Sequence, residues 1–86
     1  MDKIVEQISE VGSVISSLNE IQSDASVPRN VRTKIESIIK TLNENTELPI
    51  KVNKALNELD GIASDVNIQS YTRTQMWNVM SVLEKL

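Results

Sequence analysis

The chain has 86 residues and a formal net charge of −3, with 40% apolar and 24% charged residues. That is room for one domain around one core, in a composition that folds. It contains neither cysteine nor histidine, which excludes disulfides, thiolate nucleophiles, zinc sites built on sulfur or imidazole, and every catalytic triad with a histidine base.

The elements follow from spacing. Ile4, Ile8, Val11, Ile15 and Leu18, with Val5, Val14 and Ile21 beside them, recur at three and four residues and predict a helix near 2–22. Ser26-Val27-Pro28 then supplies a hydroxyl suited to capping and a proline suited to a first turn, because the amide it lacks has no helical partner there. Val31, Ile35, Ile38, Ile39 and Leu42 predict a second helix near 28–44. Thr46, as cap, and Pro49 introduce a third near 47–63 on Val52, Ala55, Leu56, Leu59 and Ile62. Asn67 is the expected cap of a fourth near 69–85, with the stripe Tyr71, Met76, Val79, Met80 and Leu83. No apolar run reaches the ~20 residues of a membrane span, and no targeting segment is visible, so a cytoplasmic location is expected.

The two halves match without a gap at an offset of 41 residues. Val11, Leu18 and Ile21 fall on Val52, Leu59 and Ile62; Ser23-Asp24 falls on Ser64-Asp65, and Arg32-Thr33 on Arg73-Thr74. Ile35, Ile38, Ile39 and Leu42 fall on Met76, Val79, Met80 and Leu83. This predicts an all-α single domain over residues 1–86, made of two copies of one helix–turn–helix hairpin, about 2–44 and about 47–85. In length and layout the unit resembles a HEAT-type repeat, the likeness resting on Asp24/Arg32 and Asp65/Arg73. Two repeats are too few for an open solenoid, so the hairpins are expected to close on each other as a four-helix bundle.

The segment Asp24-Ala-Ser-Val-Pro-Arg-Asn-Val-Arg32, and the pattern Leu59-Asp60 … Asp65 … Arg73-Thr74-Gln75-Met76-Trp77 … Leu83-Glu84, resemble a small archaeal family known as uncharacterised protein family 0147. The resemblance implies an archaeal protein with an all-helical, four-helix fold. It carries over no functional residues, because the family has no assigned activity.

Three groups of residues stand out. Asp24, Arg32, Asp65 and Arg73 recur in both halves and are expected to be structural, the aspartates capping helix ends or forming ion pairs with the arginines, within a hairpin or crosswise; a carboxylate metal site in the turns is a weaker alternative. On the fourth helix, Trp77 stands where the first half has Glu36, and Val82 where it has Thr41. These widen the apolar face beyond the duplicated stripe, and with Tyr71, Met76 and Met80 they form a candidate interface. Such residues make either a central helix or an interface for self-association or a protein partner. Finally, residues 29–54 carry six basic and three acidic side chains in an otherwise acidic chain. Arg29, Lys34, Lys40, Lys51 and Lys54 form a candidate basic patch for RNA or a ribonucleoprotein, although the segment lacks stacking aromatics and the sequence pI is about 4.8. No Gly-x-Ser-x-Gly elbow and no phosphate-cradling loop occur among glycines limited to Gly12 and Gly61. The chain is therefore expected to have no catalytic, cofactor or metal site, and to be an interaction module rather than an enzyme.

Overall fold

The computed structural model describes residues 3–86, with side chains from Ser9 onward. It contains four helices: α1 (Lys3–Ser23), α2 (Arg29–Leu42), α3 (Leu48–Ala63) and α4 (Ser70–Glu84). Each helix packs on two others, α1 on α2 and α4, α3 on α2 and α4, so the four close in a ring about 40 Å long and 20 Å across. No helix among the described residues is long and apolar enough to cross a membrane.

The ring forms because each helix has one apolar stripe that water cannot satisfy. The stripes meet in a single aliphatic core of Val14, Leu18, Ile21, Ile35, Ile38, Leu42, Leu59, Met76, Val79 and Leu83 with their neighbours. Each fully buried Leu or Ile there contributes roughly 1.5–3 kcal/mol. Burial repeats at the 41-residue offset. Leu18 and Leu59 are both sealed from solvent, as are Ile35 and Met76, and Leu42 and Leu83. Val27 and Ile68, which the helical stripes do not predict because they lie in the turns, are an equally buried pair. The side chains of Ile4, Val5 and Ile8 lie outside what is described.

The backbone hydrogen bonds of the two turns repeat. Asp24 N–H donates to Ile21 O at 3.2 Å and Asp65 N–H to Ile62 O at 3.0 Å. Val27 N–H reaches Asp24 O at 3.1 Å, and Ile68 N–H reaches Asp65 O at 3.3 Å. Ser26 N–H donates to Asp24 Oδ1 at 2.9 Å, and Asn67 N–H to Asp65 Oδ1 at 2.8 Å. Even the preceding serines match: Ser23 Oγ donates to Asn19 O and Ser64 Oγ to Asp60 O.

This geometry corrects the expected caps. Pro28, Glu47 and Gln69 occupy the cap positions, and none makes a side-chain cap bond. Ser26 and Asn67 serve the turns as donors instead. An aspartate bonding the amide two residues on is itself a turn-former, and it holds the chain out of helix until Pro28 O and Gln69 O accept from Arg32 and Arg73 N–H, each at 3.0 Å.

Candidate functional site

The two arginines do not make the expected ion pairs. Arg73, early in α4, turns back to the C-terminal end of α3. Its Nε donates to Ala63 O at 3.0 Å, and its Nη2 donates to Asp65 O at 2.9 Å and to Ile68 O at 3.4 Å. The Asp65 carboxylate is occupied by Asn67 N–H. A helix end leaves carbonyls without intrahelical donors and carries partial negative charge, so a guanidinium there meets both needs. Arg32 sits at the matching place, yet its Nε is buried with no partner. Its charge is felt by Asp24: the backbone N–H of Ser26, then the Ser26 hydroxyl at 2.8 Å, and then Arg32 hold that carboxyl below its ordinary value of 3.8. Among the described residues the one ion pair within 4 Å is Lys54 Nζ–Glu44 Oε1 at 3.9 Å. Neither Asp24 with Arg32 nor Asp65 with Arg73, the residues on which the HEAT-type likeness rested, forms a carboxylate–guanidinium ion pair; Arg73 meets the backbone carbonyl of Asp65 instead. Nor do three acidic residues gather as a metal site among the described residues.

The aromatic and methionine group divides into three. Met76 is fully buried at the centre of the core, so it is no part of a surface. Val82 lies on the α1 side of α4, in a shallow groove of about 150 Å³ with Ser13, Ser17, Glu20, Gln75 and Asn78. Tyr71, expected on the core stripe, is 70% exposed. At 100° per residue it falls on that α1-facing side, about 120° round from Trp77. Trp77 is 55% exposed. By the same count it falls on the α3-facing side, in a stripe with Arg73, Met80 and Glu84. Met80 and, on α3, Leu56 are half-buried residues packed against the core. The α3–α4 side thus has an apolar centre of Leu56, Met80 and Trp77. The corresponding α1–α2 side keeps the half-buried aliphatics Ile15 and Ile39 but places Glu36 where Trp77 would be.

The basic residues are dispersed. Lys51 Nζ donates to Glu44 O at 3.3 Å, and Lys54 reaches the same residue, so two of the five cluster on the glutamate after α2. Lys34 lines a groove of about 360 Å³ between α2 and α3, beside Asn57, Glu58 and Gly61. Arg29 and Lys40 are exposed on the outer side of α2, about 16 Å apart along its axis. The α2–α3 groove is the duplicate of the α1–α4 groove, for Glu58 and Gly61 correspond to Ser17 and Glu20, and Lys34 to Gln75.

The fold and surface define a duplicated four-helix protein whose most distinctive outer feature is one exposed indole. The chain belongs to the Uncharacterised protein family (UPF0147), whose model matches residues 1–86. Among its relatives, a UPF0147 protein of Methanosarcina acetivorans is 39% identical over 70 residues, covering 80% of this chain and 72% of that one. One of Metallosphaera sedula is 32% identical over 87 residues, covering 100% and 98%. The crystal structure of a protein of unknown function, MMP1188, superimposes with a TM-score of 0.85 at 37% identity, over 90% of this chain and 89% of that one.

Proposed function

We propose that this protein is a non-catalytic helical module that binds another protein surface through the α3–α4 side. The observation that carries this reading is the position of Trp77. A tryptophan buries more apolar area than almost any other side chain and dominates many interfaces. Here it is left more than half exposed on the side that carries the half-buried Met80 and Leu56. Its counterpart Glu36 shows that the duplicated fold does not need an aromatic at this position. The same reading takes the cytoplasm as its setting and uses no cofactor.

The test is recovery of bound proteins by the tagged chain in its own host, compared with Trp77→Glu, which writes the first half's residue into the second. Proteins retained by the natural chain and lost with Trp77→Glu support the reading. Equal recovery by both, with far-UV circular dichroism showing both folded, overturns it.

A further inference from the structure

We infer that the surface around Trp77 is built to pair with a second copy of this chain, α4 against α4 in antiparallel register about a two-fold axis. This rests on the reading of that side as an interface and names its partner. Arg73, Trp77, Met80 and Glu84 are separated by four, three and four residues, the spacing of a heptad seam. Inverting α4 about the midpoint between Asn78 and Val79 places Trp77 opposite the second copy's Met80, and Arg73 opposite its Glu84. One operation therefore matches apolar with apolar at the centre and cation with anion at both ends. This is the self-complementarity an isologous interface requires.

The charges on the seam are available for this. Arg73 spends Nε and Nη2 on carbonyls and leaves Nη1 without a partner among the described residues. Glu84, exposed at the end of α4, has no ion-pair partner among them. A stripe positive at one end and negative at the other is neutral overall. It offers no preference to a uniformly acidic or basic partner, but matches its own inverted copy. The α1–α2 side lacks this pattern, having Glu36 at the centre and Asn43 at the end. Area is sufficient too. One long side of a molecule measuring 40 × 20 × 20 Å is about a fifth of its 5520 Å² of surface, about 1100 Å², and a stable interface needs roughly 800 Å² from each partner.

The experiment uses the full chain, whose lack of cysteine permits clean single-site labelling. Light scattering on the natural protein is expected to give a dimer. Glu84→Arg, at an exposed position, is expected to give a monomer with unchanged circular dichroism, because two arginines then face each other at each end. Spin labels on Ser70→Cys and, separately, Thr74→Cys report the register. In the antiparallel arrangement a residue and its mate are offset along the axis by about 3 Å for each residue of distance from the midpoint, so the Ser70 pair lies about 12 Å further apart along the axis than the Thr74 pair. Equal distances at the two positions, an unaffected dimer with Glu84→Arg, or a monomeric natural protein each overturn the pairing. If the chain is monomeric but still recovers other proteins in a Trp77-dependent way, the interface reading survives and the self-pairing is wrong.

Discussion

The duplication supplies an internal control for the role of Arg73. Replacing it by methionine keeps most of the aliphatic stem and removes the guanidinium, and the same change at Arg32 does so at the matching position. Arg73 makes two short bonds, 3.0 Å to Ala63 O and 2.9 Å to Asp65 O, and a longer one of 3.4 Å to Ile68 O. Hydrogen bonds from a charged donor contribute roughly 1.5–3 kcal/mol each. Water can reach this partly exposed site and replace some of that, so Arg73→Met is expected to cost about 2–3 kcal/mol in all. In a domain of this size that lowers Tm by about 10–20 °C. Arg32 Nε is buried and bonded to nothing, so removing its head relieves an unmet donor while the stem's packing is kept. Arg32→Met is expected to lie within about 0.5 kcal/mol of the natural protein. Urea unfolding followed by circular dichroism at 222 nm measures both. Equal destabilisation by the two variants would show that the arginines act through packing or general charge, and that the carbonyl clamp contributes nothing of its own.

Asp24 offers a pH signature: its folded-state pKa is lowered, so its carboxylate stabilises the fold above the ordinary value of 3.8 and that contribution fades as pH falls through the lower folded value. The gap in urea midpoint between the natural chain and Asp24→Asn is therefore expected to be largest near pH 6 and to narrow towards pH 3; a gap that widens on acidification contradicts this. Gly12 and Gly61 lie within helices, have no positive φ, and face open space where a Cβ would stand. Gly61→Ala and Gly12→Ala are each expected to stabilise by about 0.5–1 kcal/mol, read as a higher urea midpoint at unchanged slope, and a loss of stability at either would reveal a close contact there.

Much of this protein is written in local order. A 3.6-residue period decides where an apolar stripe lies on a helix whatever surrounds it, so Val31, Ile35, Ile38 and Leu42, and then Val52, Leu59 and Ile62, could be placed inside from spacing alone. The offset of 41 residues told that the second hairpin repeats the first, and it held a signal the stripes missed: Val27 and Ile68 correspond across the turns, and both are buried.

What the chain alone left open were choices of partner, which depend on what lies across space. Charge type suggested that Arg73 would meet the Asp65 carboxylate. The tertiary structure brings the bare carbonyl end of α3 to the guanidinium instead, while the turn backbone has already claimed the carboxylate. Tyr71, Met76 and Trp77 read as one apolar group along α4. Closing the ring sent Met76 to the centre, Tyr71 to the α1 side and Trp77 to the α3 side, because a helix with neighbours on two flanks assigns each direction on its circumference a different environment.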